Sequence, residues 1–309
     1  MSKFRKLNNG NTIPTIGLGT YKSKPGEVEE AVKYAIDIGY RHFDCAWFYA
    51  NEKEVGDALQ AKLHEGVVKR EELFVVTKLW NNFHEKKNVV PMLRESLKSL
   101  QLEYVDLFLI HWPFGFKETA DGLPTDGTAS YSDVDYLETW EGMEECVKSG
   151  LTKSIGISNF NKEQVARLVN NCRIKPVVNQ VEVNPNINQK ELIQFCKERD
   201  IVVVGFCPLG RSTQSTTIST YPRSTILDPK VIEVAKKYNK TPAQVILRYL
   251  VSLGICVIPK SVTKSRILEN FDIFDFELEQ KDVAYLDSCN TNQRVSPMSA
   301  YKDHKYYPF

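Results

Sequence analysis

The chain has 309 residues, 42% of them hydrophobic, and its 40 Lys and Arg against 39 Asp and Glu give a formal net charge of +1. This is enough apolar material for one large domain or two ordinary ones, and so even a charge balance excludes a general nucleic-acid binder, which carries a basic stripe. MSKFRKLNNGNTI holds no apolar run of signal-peptide length, no stretch approaches the ~20 apolar residues of a membrane span, and Ser2 stands where myristoylation needs glycine. The expectation is a cytoplasmic protein with neither a nucleic-acid nor a membrane partner. The seven cysteines are odd in number and show no C-x-x-C pair, so they read as small buried hydrophobes and not as a disulfide framework. The five histidines show no H-E-x-x-H spacing, and no metal is expected.

In chain order, residues 4–14 (FRKLNNGNTIP) read as a β-hairpin with its turn at Asn9-Gly10. Thr15–Thr20 is a first strand. A helix then begins at Pro25-Gly26, places Val28, Ala31, Val32, Ala35 and Ile36 on one face, and stops before Gly39. The pattern repeats. Strands are predicted at His42–Ala46, Leu73–Leu79, Val105–His111, Lys153–Ser158, Val177–Val183, Ile201–Cys207 and Ile255–Ile258. Helices are predicted near Glu52–Leu63, Val89–Leu100, Leu137–Ser149, Lys162–Asn170, Gln189–Glu198, Pro229–Lys237 and Pro242–Leu253. The strands are continuous apolar runs, as when both faces are buried.

About eight strand–helix repeats imply a parallel sheet, and closing it gives a (β/α)8 barrel with the hairpin plugging its bottom. An open doubly wound sheet would place a Gly-rich phosphate turn after its first strand. Gly17-Leu18-Gly19-Thr20-Tyr21 lacks the third glycine. Gly115–Asp135, Arg211–Leu227 and the tail Asn290–Phe309 fall outside the alternation, and long loops of this kind are usually functional. No linker composition divides residues 1–309, so one barrel domain is expected.

Reactive groups of such barrels sit at the C-terminal ends of strands. Read in order, those ends supply Asp44 and Tyr49, then Lys78, then His111. Singly, each has an ordinary reading as a helix cap, a core tyrosine, a solvated lysine or a buried histidine. Together they converge on one apolar barrel mouth, where Lys and Asp are found only when paired. A free tyrosine titrates near 10 and is a poor acid at neutral pH. Lys78 can lower that value, Asp44 can hold Lys78, and His111 can direct a substrate oxygen. A tuned proton donor of this kind suits reduction of a carbonyl by an incoming hydride.

These segments resemble the aldo-keto reductase superfamily. The matching motifs are Gly17-Leu18-Gly19-Thr20, Asp44-x-Ala46-x-x-Tyr49-x-Asn51-Glu52, Thr77-Lys78-Leu79-Trp80, Leu109-Ile110-His111-Trp112-Pro113, Gly156-Ile157-Ser158-Asn159-Phe160, Asn179-Gln180-Val181-Glu182, Pro208-Leu209-Gly210 and Ile258-Pro259-Lys260-Ser261. The resemblance covers nearly the whole chain, and the overall look is similar to the aldose reductase and insect carbonyl reductase branches, such as 3-dehydroecdysone reductase-like enzymes. It implies catalysis by Asp44, Tyr49, Lys78 and His111. A branch that reduces carbon–carbon double bonds carries Glu at the position of His111, so the histidine favours carbonyl reduction.

The resemblance also implies an NADPH cofactor. Gly19, Thr20, Tyr21 and Asp44 would border it, Ser158, Asn159 and Gln180 would bind the nicotinamide carboxamide, and Phe206 would stack on the ring where many relatives carry Tyr. Cys207, Leu209 and Arg211 would follow the pyrophosphate, although Cys207 and Arg211 replace serines common there, and Ser212 is an alternative contact. Lys260, Ser261, Val262, Thr263, Arg266, Glu269 and Asn270 would form the 2′-phosphate site, since two cations, two hydroxyls and a helix N-terminus suit an anion. Tyr21, Phe48, Tyr49, Trp80, His111, Trp112, Ser296 and Met298 would line a pocket for a small hydrophobic carbonyl compound. Tyr21 stands where a Trp is common. A monomer is expected. The superfamily also contains cofactor-binding and crystallin-like members with little turnover, and a barrel hydrolase or isomerase using His111 and Asp44 is a further alternative. The intact tetrad speaks against the first, and the Lys260-Ser261-Val262-Thr263 segment against the second.

Overall fold

The computed structural model describes residues 2–117, 130–210 and 224–309. Strands β1 (Phe4–Lys6) and β2 (Thr12–Pro14) form the antiparallel hairpin. Its turn runs from Leu7 to Gly10, closed by the Gly10 N–H on the Leu7 carbonyl at 3.1 Å, and Gly10 takes φ 93°. Asn8 and Asn9 are therefore the central residues, and the glycine supplies the left-handed step back into β2.

Eight parallel strands follow in chain order: β3 (Leu18–Gly19), β4 (His42–Asp44), β5 (Phe74–Leu79), β6 (Leu107–Ile110), β7 (Ile155–Ser158), β8 (Val178–Glu182), β9 (Val202–Phe206) and β10 (Cys256–Val257). Each pairs with the next in sequence. The ends meet as well. Gly17 donates to Val257 at 2.9 Å, Val257 donates to Thr15 at 2.9 Å, and Gly19 donates to Pro259 at 3.1 Å. The sheet is thus the closed barrel of a (β/α)8 fold, and the open-sheet alternative is set aside.

Among the described residues ten α-helices flank it: α1 (Glu27–Asp37), α2 (Glu52–His64), α3 (Lys86–Leu100), α4 (Tyr136–Lys148), α5 (Lys162–Asn171), α6 (Lys190–Lys197), α7 (Pro229–Lys237), α8 (Pro242–Ser252), α9 (Lys264–Phe271) and α10 (Gln280–Ser288). The buried face of α1 is Val28, Ala31, Val32, Ala35 and Ile36, as the periodicity predicts. Its start differs: the helix begins at Glu27 behind a left-handed Gly26, leaving Pro25 outside. Side-chain caps set other starts, with Asp135 on α4, Asp228 on α7, and reciprocal Asn161–Gln164 and Thr241–Gln244 pairs on α5 and α8. No apolar stripe announces α10, because only Asp282 and Leu286 of it are buried.

The core has three parts. A large one fills the space between sheet and helices. A second lies inside the barrel, where Phe74, Val76, Leu107, Leu109, Val178, Val204 and Cys256 meet Leu7 and Ile13 of the hairpin. The hairpin therefore closes the bottom. A third, at the opposite end, is aromatic: Trp80, Trp112, Phe114, Phe116 and Tyr301. All seven cysteines are free.

Gly56 of α2 packs directly on the end of α3, and a methyl group there would lie 2.6 Å from the Ser99 carbonyl oxygen. Gly56→Ala improves helix propensity by about 1 kcal/mol, yet overpacking against backbone costs about 1–3 kcal/mol. Urea unfolding is expected to show net destabilisation; a more stable variant would contradict this packing.

Candidate active site

Side chains alternate across a strand, so the inward row of each barrel strand can be followed from bottom to top. On β5 it runs Phe74, Val76, Lys78; on β6 and just beyond it, Leu107, Leu109, His111; on β8, Val178, Gln180, Glu182; on β4, His42, Asp44. The apolar members form the barrel interior, and the polar ones arrive together at the top. Gly17 lies so near the His42 ring that a β-carbon would sit 2.6 Å from it.

At that level the Lys78 ammonium donates to Asp44 Oδ2 at 2.6 Å, to the Cys45 carbonyl at 2.9 Å and to the Tyr49 hydroxyl at 3.2 Å. Lys78 is 1% exposed and Asp44 2%. Gln180 Nε2 donates to the other Asp44 oxygen at 2.8 Å. A charge-assisted chain therefore runs Gln180–Asp44–Lys78–Tyr49 across β8, β4 and β5. Tyr49 itself lies on a 3-10 turn, Trp47–Tyr49, just after β4. The next motif residues hold that turn: Asn51 donates to the Thr20 carbonyl at 2.9 Å, the Thr20 hydroxyl donates to the Asp44 carbonyl at 2.9 Å, and buried Glu52 accepts from Thr77.

His111 is buried with its ring edge-on to Trp80, Tyr49 and Phe48, at centroid distances of 5.1, 5.9 and 6.3 Å. Burial, with the Lys78 charge second, holds the imidazole well below its ordinary value, so it is neutral at neutral pH. Tyr49 corrects the sequence reading of its acidity. The residue is half-buried, and desolvation and then the Asp44 charge push the phenol well above its ordinary value. The nearby Lys78 ammonium does not reverse that direction.

Around this focus, Ser158 and Asn159 stand at the end of β7 and just past it, with Asn159 left-handed at φ 64°. Asn159 Nδ2 donates to the His111 carbonyl at 2.9 Å and to Ser158 Oγ at 3.1 Å, while its Oδ1 is a buried acceptor with no partner. An amide N–H₂ of a bound ligand fits that acceptor, so these residues fit a nicotinamide carboxamide. Phe206, Cys207 and Leu209 are half-buried at and after the end of β9; Arg211 and Ser212 lie outside the described residues. Lys260 pairs with Gly19 across the barrel seam and donates to the Lys22 carbonyl at 3.1 Å, which joins the Gly19-Thr20-Tyr21 segment to the Ser261-Val262-Thr263 turn. Ser261 Oγ accepts from the Thr263 N–H at 3.2 Å, Thr263 precedes α9, Arg266 is exposed on its first turns, Glu269 is half-buried, and Asn270 is buried.

The pocket wall is aromatic. Phe48 stacks on Trp80 at 3.8 Å, Tyr21 lies 4.8 Å from the Tyr49 ring, and Trp112 meets Phe114 and Phe309. Met298 packs into this cluster. Ser296 enters it through its backbone N–H, held by Glu182 at 2.9 Å. Glu182 escaped the sequence reading, although a carboxylate closing an inward strand row was its available signal.

An alternating barrel with a buried lysine–carboxylate pair facing a tyrosine and a histidine defines an oxidoreductase-type site built on strand ends. Residues 15–291 match the Aldo/keto reductase family. The chain is 46% identical over 315 residues to aldo-keto reductase family 1 member C15 of Rattus norvegicus, covering 100% of this chain and 97% of the relative. It superposes on an aldo-keto reductase of Bombyx mori in complex with NADP with a TM-score of 0.92 at 44% identity, covering 99% of this chain and 98% of that one. The aldose reductase of Schistosoma japonicum is equally similar in fold, with a TM-score of 0.92 at 42% identity over 100% and 99% of the two chains. The chain belongs to the aldo/keto reductase family.

Three buried histidines share one electrostatic consequence. Burial pushes His42 down to about 4 and His84 down to about 3, and lowers His111 as well. Unfolded, each titrates near ~6.5. As pH falls below that value the unfolded chain takes up protons that the native chain refuses, so native stability is lost. Each histidine contributes about 1.4 kcal/mol per pH unit until its native value is reached. His42 stops contributing near 4 and His84 near 3. Chemical denaturation as a function of pH should show this decline; flat stability over the window would contradict neutral burial.

Proposed function

We propose that this protein is an NADPH-dependent oxidoreductase that reduces aldehydes and ketones to alcohols, with Tyr49 as the proton donor. The observation that carries the proposal is the Gln180–Asp44–Lys78–Tyr49 chain facing a neutral His111. The reduced nicotinamide, when bound, supplies the hydride. The protein's share is the proton and its direction. His111, neutral, offers an N–H to the carbonyl oxygen and fixes where it lies. Tyr49, protonated at neutral pH, donates from its hydroxyl to that oxygen. A phenol of raised proton affinity can still do so, because the alkoxide that forms at the substrate is a far stronger base than a phenolate. Lys78, 3.2 Å away, then stabilises the phenolate that remains.

Ser158, Asn159 and Gln180 would receive the carboxamide, Phe206 would cover the ring, and Gly19, Thr20, Tyr21, Cys207, Leu209 and Arg211 would border the rest of the cofactor. Lys260, Ser261, Val262, Thr263, Arg266, Glu269 and Asn270 would form the 2′-phosphate site. The joined Lys260 and Gly19 segments support that assignment, and so do the exposed Arg266 and the start of α9. The aromatic wall of Tyr21, Phe48, Trp80 and Trp112, with Ser296 and Met298, suits a hydrophobic aldehyde or a steroid-type ketone such as 3-dehydroecdysone. A single-domain cytoplasmic monomer completes the reading; among the described residues no helix is long and apolar enough to cross a membrane.

Tyr49→Phe should reduce kcat by on the order of 100-fold or more, the contribution of a positioned acid, while NADPH fluorescence titration stays unchanged. Turnover near that of the wild type would exclude Tyr49 as the donor. Arg266→Ala should weaken NADPH binding on the order of tenfold through loss of a charge-assisted contact and leave NADH binding as it was; equal losses would contradict the phosphate assignment. Rates of NADPH oxidation across lipid-derived aldehydes, sugar aldehydes and steroid ketones read the substrate class, and a preference for sugars would overturn the hydrophobic pocket.

A further inference from the structure

Glu182 has no part in the proton chain, yet it is the last inward residue of β8, two positions beyond Gln180. It is 1% exposed, and among the described residues it makes no ion pair. Its hydrogen-bond donors are neutral, while the positive charge of Arg294, just before the segment it holds, acts on it from further off. Oε1 accepts from the Val295 N–H at 2.7 Å and Oε2 from the Ser296 N–H at 2.9 Å, with Asn184 Nδ2 on Oε1 at 3.3 Å. Two consecutive backbone amides on one carboxylate fix both the position and the direction of a chain segment, as a single contact cannot. A buried carboxylate is a strong acceptor but an expensive one to desolvate, so its site has to be well defined.

The segment it holds is the C-terminal tail where that tail reaches the pocket. Beyond Ser296 the chain has a second tether, the Tyr307 hydroxyl on the Pro297 carbonyl at 2.6 Å, and the Ser296 side chain meets the Cys207 thiol. Met298 then turns left-handed at φ 47° and packs into the aromatic cluster of Trp80 and Trp112. One strand end thus grips Asp44 through Gln180 and the pocket wall through Glu182.

We propose that Glu182 is a positioning residue for substrate selection: its carboxylate ties Val295–Ser296 to the end of β8 and so sets where Met298 stands in the pocket. The role rests on the carbonyl-reductase reading above. A small aldehyde needs only Tyr49 and His111, whereas a bulky ketone must also meet the tail, so the tether matters to the second alone.

The test is Glu182→Gln in the full chain, assayed with NADPH against propanal and against a steroid ketone, beside hydrogen exchange at the Val295 and Ser296 amides. The amide side chain keeps one acceptor and turns an N–H₂ toward the other backbone N–H. KM for the steroid ketone should rise on the order of tenfold, as for a lost hydrogen bond to a charged group. Efficiency with propanal and the NADPH titration should stay within about twofold, and exchange at the two amides should quicken. Glu182→Asp, which keeps the charge but withdraws it by one methylene, carries the same test if the first variant does not fold. Equal losses with both substrates would make Glu182 merely structural and overturn the proposal, as would unchanged kinetics. A wild-type protein that reduces neither carbonyl would sink the reading of the whole site, an outcome distinct from an active wild type with an indifferent variant.

Discussion

A lysine buried at the mouth of a barrel has to be answered by a counter-charge or lose its proton, and the Lys78–Asp44 pair is where the fold meets that requirement. At 2.6 Å and almost fully buried, the pair adds little net stability, because desolvation offsets most of the attraction. Removing one partner is another matter, since an uncompensated charge in that position costs about 3–5 kcal/mol. The pair is therefore a constraint more than a source of stability. It holds β4 and β5 in one register, recruits Gln180 from β8 to the free oxygen of Asp44, and leaves the third Lys78 donor for the Tyr49 hydroxyl. The direction of the proton chain follows from which of its members can be charged without help.

The barrel makes this arrangement possible through a two-residue period. Each inward row begins apolar, against the hairpin residues Leu7 and Ile13, and ends polar at the mouth. A shift of one residue in any strand would turn Lys78, His111 or Gln180 into the layer between sheet and helices. The hairpin and the tetrad are thus linked across the length of the barrel. Apolar packing at the bottom fixes the register that places polar groups at the top.

How much of this could be read from the chain alone follows from the same period. All eight strands were legible because buried parallel strands are continuous apolar runs, and the polar residues ending them stand out against that background. Asp44, Lys78 and His111 were legible for that reason, and Tyr49 by its place in the motif after Asp44. The edges were less so: α1 starts at Glu27 because Gly26 turns left-handed, and α10 carries almost no apolar stripe. The sign of the Tyr49 shift could not be read either. It depends on how burial and the charge of Asp44 weigh against the ammonium of Lys78, and that balance is set by distances no spacing pattern contains. The double contact of Glu182 joins residues 113 and 114 positions apart, a separation at which sequence pattern says nothing about neighbours.

That long-range contact also explains why the two halves of the site differ in how firmly they are specified. The proton chain is built from side chains rooted in β8, β4 and β5 and on the short turn after β4, so the barrel itself determines it. The pocket wall is mixed. Tyr21, Phe48, Trp80 and Trp112 come from the barrel, whereas Ser296 and Met298 come from a tail held at separate points: Glu182 on Val295 and Ser296, Tyr307 on Pro297, Asn161 on Pro308, and Gln164 on Tyr306. A segment held at points can change its path when one point changes, without disturbing the strands beneath it. Chemistry can therefore stay constant on such a scaffold while the choice of carbonyl varies with a few tethers, and the tether at the end of β8 is rooted two residues beyond the Gln180 that grips Asp44.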